Sequence, residues 1–327
     1  MGMETSLLIL IAFVSAIIFI LFGLLIVVYI ITKPYPNLEV TADSELYFYN
    51  AKTDSQERFP SIKDKPTVTL SVIVPAYREE KRLGKMLDEA LPYLDGRRAR
   101  DPTFSFEVIV VDDGSDDATD RVALYYSRRV GPDRLRLLKL ARNLGKGGAV
   151  RRGMLAARGQ RLLFADADGA TRFSDLDRLE RELQSCTGGR CINALICGSR
   201  AHLQQDAVAQ RSFVRNLLMH GFHLLVWLCC VRNVKDTQCG FKLLTRDAAH
   251  LLFCNLHVER WAFDCDLLYL ANQFRVTVRE VPVNWTEIDG SKIIPVFSWL
   301  QMAFDIVLIR LRYLLGAWKI ESRHRLE

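Results

Sequence analysis

The chain has 327 residues, half of them hydrophobic, with a mean hydropathy of +0.07 and a net charge of +6. That length suits one large α/β domain with appendages, or two small domains. Its 44 Lys and Arg are interleaved with 38 Asp and Glu, so no arginine-rich stretch supports nucleic-acid binding; a basic membrane-binding protein is the non-enzymatic alternative.

Residues 1–6 read as a short tail. Leu7–Ile31 then carries no charge and only Ser15, Gly23 and Tyr29 as weakly polar breaks, long enough for the roughly 20 residues that span a bilayer. A signal peptide would need a basic leader, a shorter apolar run and a small-residue cleavage site. The residues before Leu7 hold Glu4 and no Lys or Arg, and Lys33-Pro34-Tyr35-Pro36 resembles no cleavage site. A retained anchor is the expectation. Lys33 and Lys52 after the span put the body in the cytosol and the tail in the lumen.

Residues 32–66 are polar and mixed, with Pro34, Pro36, Pro60 and Pro66, and read as a stalk with little regular structure. Residues 67–290 read as one folded domain of alternating strands and helices. Val68–Val74 is a β-branched strand, and Glu79–Leu94 places Leu83, Met86, Leu87, Ala90, Leu91 and Leu94 at helical spacing. Strand Phe106–Val111, helix Ala118–Val130, strand Leu135–Leu140, helix Gly148–Ala157 and strand Arg161–Ala165 follow. Asp175–Leu183 reads as helix and Ile192–Cys197 as strand. This alternation predicts a doubly wound α/β domain, its mostly parallel sheet covered on both faces.

Two later segments are apolar but interrupted by charge. Phe213–Val231 contains Arg215, His220 and His223, and Ile293–Ile320 contains Asp305, Arg310 and Arg312. Charge at bilayer depth is costly, so neither is expected to span. Phe213–Val231 fits a core helix and an interfacial helix equally well. Residues 291–327 are expected to lie in the membrane interface.

The eight cysteines, at 186, 191, 197, 229, 230, 239, 254 and 265, form no Cys-x-x-Cys pair and sit mostly in apolar runs; reduced, buried thiols are expected. Asn284-Trp285-Thr286 is a formal glycosylation sequon, irrelevant on a cytosolic face.

Chemistry gathers at the ends of the strands. Asp166-Ala167-Asp168 closes an apolar strand, and residues two apart in extended chain point the same way. Two such carboxylates are poor core residues and good hard-oxygen ligands for a divalent cation holding a diphosphate; an Asx-type turn is the plainer alternative. Pro75-Ala76-Tyr77-Arg78-Glu79 offers a ring and a carboxylate for a base and ribose, although Pro and Glu also start helices. Of Asp112 and Asp113, one could take hydrogen bonds from a nucleoside while the other, with Ser115, caps the next helix. Asn143-Leu144-Gly145-Lys146-Gly147-Gly148 opens a helix, a natural diphosphate neighbourhood. Its spacing is not that of a Walker A motif, which removes support for a kinase or ATPase.

From about Ser71 to Trp285 the chain resembles the GT-A glycosyltransferases of the large inverting family, family 2, that includes polyprenyl-phosphate sugar transferases. The resemblance lies in Ser71–Glu80, Val110–Asp117, Gly145–Gly153, Phe164–Thr171 and Gly198-Ser199-Arg200. Asp166–Thr171, Asp236–Lys242, His257–Asp264 and Asn284–Glu287 narrow it to the branch that glucosylates dolichyl phosphate from UDP-glucose. It implies a Rossmann-like sheet with helices on both faces, one N-terminal membrane helix, interfacial C-terminal helices and an endoplasmic-reticulum location. The product would be a lipid-linked β-glucose donor for N-glycan precursor assembly.

It also implies roles. Pro75, Tyr77, Glu79, Asp112, Asp113, Lys146, Ala167 and Gln238 would bind the donor, and Asp168 helped by Asp166 would hold Mg²⁺ or Mn²⁺. Arg200 would act in catalysis and, with Lys242 and Arg211, hold the acceptor phosphate; for Arg211 and for Arg215 a solvated surface charge is the better account. Asp264 matches the catalytic base of relatives with hydroxyl acceptors. A phosphate monoester is already mostly a dianion at neutral pH, so Asp264 could instead position sugar hydroxyls or the cation set. Asp266 should face elsewhere. Trp261 fits a sugar pocket or core packing. GDP-mannose is the alternative donor, since fold and metal motif do not separate the two. A processive polysaccharide synthase would carry further spans and a Gln-x-x-Arg-Trp motif, which Gln210-Arg211-Ser212-Phe213 is not.

Overall fold

The computed structural model describes residues 2–40, 42–50, 52–188, 193–203, 221, 234–288 and 297–321. Helix α1 (Gly2–Ile31) contains the apolar run, and within it Ser6–Ile31 has a mean hydropathy of 3.2 and no residue buried against the body. Among the described residues it is the one helix long and apolar enough to cross a membrane. Phe213–Val231 and Arg211 lie outside the described residues, Gly221 excepted.

The segment expected to be an unstructured stalk is not one. A short helix α2 (Asp43–Leu46) leads into an antiparallel hairpin of β1 (Tyr47–Asn50) and β2 (Ser55–Arg58). Phe48, Phe59 and Ile62 are buried in the core of the main domain. The sequence hid this because the hairpin is mostly polar: it offers a few apolar anchors rather than an alternating face.

The main sheet is built from β3 (Val68–Ala76), β4 (Phe106–Asp112), β5 (Leu135–Lys139), β6 (Gly159–Ala165), β7 (Ala194–Ser199), β8 (Phe241–Thr245) and β9 (Thr277–Pro282), in the spatial order β5-β4-β3-β6-β8-β7-β9. The first four strands are parallel, as predicted. Strand β8 runs antiparallel to both β6 and β7, and β9 pairs parallel with β7. The sheet is therefore mixed on one side. β8 was hidden in a stretch that sequence reasoning treated only as a motif.

Each strand face has its own core. Leu70, Val72, Val74, Val108 and Val110 pack against α3 (Leu83–Arg100), α4 (Thr119–Val130) and α6 (Leu176–Thr187). Ile73, Ile109 and Val111 face α5 (Lys146–Leu155), α7 (Arg246–Asn255) and α8 (Phe263–Gln273). This is the period-2 alternation of strands buried on both sides. A last helix, α9 (Phe297–Leu314), buries Met302, Ile306 and Ile309 and leaves Phe304, Val307 and Leu314 exposed. The five described cysteines are free thiols, four of them buried.

The chain moves from β3 to β4 to β5 on one side, then returns through α5 to β6 on the other side of β3. Ligands in open α/β sheets bind outside the carboxyl ends of strands at such a reversal. Pro75 marks the gap. It sits inside β3, but β6 pairing ends at Ile73, so no β6 bond is lost to its missing N–H.

A buried charge network ties the strand starts together. Glu107, fully buried on β4, accepts from Ser71 Oγ (2.5 Å), the Arg158 backbone N–H (2.8 Å) and Arg158 Nε (3.1 Å), and it pairs with Arg136. The Arg136 guanidinium lies 5.0 Å from the Phe48 ring centre and 5.8 Å from that of Phe59. The hairpin thus covers a cation that Glu107 neutralises. Substitution Glu107→Ala leaves that cation buried without its counter-charge and should cost about 3–5 kcal/mol. Chemical unfolding monitored by tryptophan fluorescence measures it, and a loss below about 1 kcal/mol would refute the assignment.

Candidate active site

At the carboxyl ends of β3 and β6 lies a cavity of about 740 Å³, inside the size range of small-molecule sites. Pro75, Tyr77, Glu79, Asp113, Lys146, Asp166, Ala167, Asp168, Arg200, Gln238, Trp261 and Asp264 all line it. These come from seven separate stretches of sequence. A smaller basic cleft of about 430 Å³, lined by Lys52, Arg98, Arg128, Arg129 and Arg134, lies away from these strand ends, at the turn entering β5.

Asp166 is placed by its neighbour rather than by its own strand. Its N–H donates to Gly240 O (3.0 Å) as β6 meets β8. A Cβ on residue 240 would stand 1.9 Å from Asp166 Oδ2, so the carboxylate occupies space that only glycine leaves open. Asp166 Oδ1 pairs with Lys146 Nζ at 2.6 Å. Asp168 Oδ1 accepts from the Ala170 N–H at 2.9 Å, so the Asx-type turn is real and coexists with a carboxylate facing the cavity. Burial, and then the charge of Asp166, push the Asp168 carboxyl above its ordinary pKa.

Two like charges crowded in a half-buried place fit a divalent cation. Asp166 and Asp168 would supply its protein oxygens. Among the described residues no group of three or more His, Cys, Asp or Glu forms a fuller set. The remaining positions would fall to diphosphate oxygens and water, the habit of Mg²⁺ at phosphate sites.

Asp113 joins two loops. Its carboxylate accepts from the Leu144 N–H (2.7 Å) and the Gly145 N–H (2.9 Å). Gly145 has φ +93°, and a Cβ there would meet Glu259 O at 2.7 Å, so the turn that brings up Lys146 requires glycine. Burial outweighs these hydrogen bonds and lifts the Asp113 carboxyl to about 6.

Asp112, expected as an alternative donor ligand, is not in the cavity. It is fully buried at the end of β4, where Oδ1 accepts from the Ser115 N–H at 3.1 Å. It closes the turn, and of the two aspartates only Asp113 lines the cavity. Arg78 also lines the cavity, and its guanidinium forms a bidentate pair with Asp116, both contacts at 2.7 Å.

The expected acceptor-phosphate set also needs correction. Lys242 is fully buried on β8, and its ammonium donates to Thr237 O (3.0 Å), Cys239 O (2.7 Å) and Asp264 Oδ1 (2.7 Å). Three donors are spent inside the protein, so none reaches a ligand. Burial would lower the Lys242 pKa, but the attraction of Asp264 outweighs it and keeps the cation protonated. Arg200 does line the cavity. Its backbone N–H, Nε and Nη2 bind the Asp236 carboxylate at 2.8, 2.7 and 2.9 Å, and its guanidinium sits 5.4 Å from the Trp285 ring centre. Glu280 in turn accepts the Asp236 N–H at 2.8 Å. The Asp236 contacts raise the Arg200 pKa against the opposing effect of burial.

Asp266 faces away, accepting from the N–H groups of His257 (2.8 Å) and Val258 (3.0 Å) and from Tyr313 Oη (2.7 Å). Sequence reasoning missed Arg82, Arg260, Ile288 and Met302 as lining residues. Arg82 had a signal, its i,i+3 spacing to Glu79, with which it pairs at 2.6 Å. Met302 had none, because α9 reaches the cavity only through the fold.

The glycosyl transferase family 2 profile matches residues 71–251. A dolichyl-phosphate beta-glucosyltransferase of Drosophila melanogaster is 56% identical over 296 residues, covering 90% of each chain. The Homo sapiens enzyme of that name is 54% identical over 284 residues, covering 87% of each. Among solved structures, the Mycobacterium tuberculosis glucosyl-3-phosphoglycerate synthase in complex with Mn²⁺, UDP-glucose and phosphoglyceric acid superposes with a TM-score of 0.52. It is 20% identical and covers 78% of this chain and 82% of its own. At that identity the likeness shows the shared GT-A fold. With the sheet reversal, the paired aspartates and these relatives together, the chain belongs to glycosyl transferase family 2, among its dolichyl-phosphate beta-glucosyltransferases.

Proposed function

We propose that this protein transfers glucose from UDP-glucose to dolichyl phosphate with inversion, giving dolichyl β-glucosyl phosphate. The observation that carries this reading is the Asp166–Asp168 carboxylate pair beside Lys146 in a cavity that also holds Asp113 and Arg200. The relatives' shared activity supports it.

In this reading Tyr77 and Asp113 hold the uridine, and Lys146 neutralises the diphosphate. A Mg²⁺ or Mn²⁺ ion between Asp166 and Asp168 would supply charge neutralisation for the departing UDP. A phosphate oxygen of the acceptor attacks C1 of the glucose from the face opposite UDP. The new C1–O bond forms as the C1–O bond to UDP breaks, its electron pair leaves with UDP, and the α donor becomes a β product. The acceptor is already a dianion, so no base is required.

Asp264 then serves as a fixed carboxylate: Lys242 holds it from behind while its other side faces the sugar. Arg200, oriented by Asp236, takes the acceptor phosphate in the bidentate manner of guanidinium. Arg260 joins it in place of the buried Lys242, being exposed at the cavity wall. The anchor α1 and the exposed apolar stripe Phe304, Val307 and Leu314 of α9 seat the body on the endoplasmic-reticulum membrane, facing the cytosol.

Substitution Asp168→Asn should lower glucose transfer to dolichyl phosphate by at least about 100-fold, with membrane association and folding retained. Wild-type activity should also vanish with a chelator and return with Mg²⁺. Wild-type protein giving no lipid-linked glucose from UDP-glucose and Mg²⁺ would refute the reading. Gly240→Ala should mimic the loss, because the new methyl takes the place of the Asp166 carboxylate; a normal rate would show that Asp166 is dispensable.

Donor binding has a defined pH sign. Asp113 must be ionised to accept donor hydrogens, and its carboxyl titrates at about 6. UDP-glucose itself, a diphosphate diester, does not titrate nearby. Its affinity should therefore fall about tenfold between pH 7.5 and roughly pH 5, and the profile should flatten in Asp113→Asn. Calorimetric titration across that range checks both, and an equally steep variant profile would exclude Asp113.

A further inference from the structure

The segment that follows α1 is held by its backbone. Pro34 O accepts from the Lys319 N–H (2.8 Å) and from His257 Nε2 (3.1 Å). A carbonyl only accepts, so that contact places the imidazole proton on Nε2. Burial pushes the His257 pKa down to about 4, which keeps the ring neutral. Asn37 O accepts from Arg151 Nη2 (3.2 Å), Leu38 O from Arg152 Nη1 (2.8 Å) and Glu39 O from Arg152 Nη2 (2.5 Å). The Leu38 side chain packs against Leu251 and Cys254.

Both arginines are structural members of the body. Arg151 is 1% exposed, donates to Leu256 O at 2.9 Å and pairs with Glu259. Arg152 is 9% exposed and faces Glu45 at 3.5 Å. Burying two guanidinium groups is costly unless they are paired and hydrogen-bonded, and here the carbonyls of one short segment supply part of that compensation.

The partners of this segment lead to the catalytic cavity. Arg151 and Arg152 ride on α5, whose first residue is Lys146, the partner of Asp166. At a helical rise of 1.5 Å per residue they stand about 7.5 and 9 Å along the helix from it. His257 stacks on Trp318 with ring centres 4.5 Å apart and begins the loop that carries Arg260 and Trp261 into the cavity wall. Helix α9 runs from Met302 in that wall to Tyr313, whose hydroxyl lies 3.2 Å from His257 Nδ1, a path of roughly 17 Å.

We propose that residues 34–39 are a rigid seat. They fix the emerging membrane helix to α5 and to the end of α9, and so hold the cavity at one height and tilt over the bilayer, where the acceptor phosphate is delivered. Arg151 and Arg152 are positioning residues for this delivery and take no part in the chemistry. The inference rests on the reading of the chain as a glucosyltransferase with a lipid acceptor.

The test uses full-length protein reconstituted in phosphatidylcholine vesicles, with a flexible Gly-Ser insertion of about six residues between Thr32 and Lys33. This leaves the seat and the cavity intact and loosens only the helix above them. Transfer is measured from UDP-glucose to dolichyl phosphate in the bilayer, and to citronellyl phosphate, a short acceptor that arrives through water.

The insertion should reduce bilayer transfer by at least about tenfold and leave transfer to citronellyl phosphate within about twofold of wild type. Arg152→Gln should show the same split. Wild type active on both acceptors with an insertion variant that keeps its bilayer rate overturns the seat. Equal loss on both acceptors overturns it too, since that reports damage to the cavity. Wild type inactive on both refutes the glucosyltransferase reading itself, and the seat with it.

Discussion

The antiparallel meeting of β6 with β8 is the constraint on which the site depends. It brings Gly240 against Asp166 so closely that the carboxylate fills the volume of the missing side chain. It also carries Lys242 beneath the cavity floor, where its ammonium reaches Asp264 from the buried side. One strand pairing therefore sets the position of a candidate metal ligand and the orientation of the nearest fixed carboxylate. Neither would survive a slip in register, because a shift of one residue turns every side chain to the other face.

Three buried carboxylates of this protein are each paired with a cation. Glu107 with Arg136, Asp236 with Arg200 and Asp264 with Lys242 each couple a buried carboxylate to a cation. Such pairs contribute modestly to stability, since desolvation offsets the attraction. What they supply is placement. Arg200 is aimed by Asp236, and Asp236 by Glu280 on β9, so the guanidinium proposed to take the acceptor phosphate is held by a chain of hydrogen bonds within the protein. Pre-positioned donors of this kind need no reorganisation when charge develops.

The anchor belongs to the same economy of positions. A lipid acceptor moves in two dimensions, and an enzyme on a loose tether would sample many heights and tilts. The carbonyls of residues 34–39, held by Arg151, Arg152, His257 and Lys319, join α1 to the elements that carry Lys146 and Met302. In the proposed arrangement, donor binding and membrane attachment share one framework.

The sequence by itself determined the strand and helix alternation, the long apolar helix and the strand ends that carry chemistry, because periodicity and end-residue chemistry are local. Tyr77, Asp113, Lys146, Asp166, Asp168 and Arg200 could be named from it, and the fold gathers all six into one cavity. It did not determine which aspartate of Asp112-Asp113 faces that cavity, nor that Lys242 is sealed beneath it. Those outcomes hang on where a strand stops and on which strand lies beside it. It also missed the hairpin, since Phe48 and Phe59 gain meaning only against Arg136. Tertiary structure decided what distant segments share: burial, ion pairing and the close approach of two backbones depend on neighbours that sequence order leaves unstated.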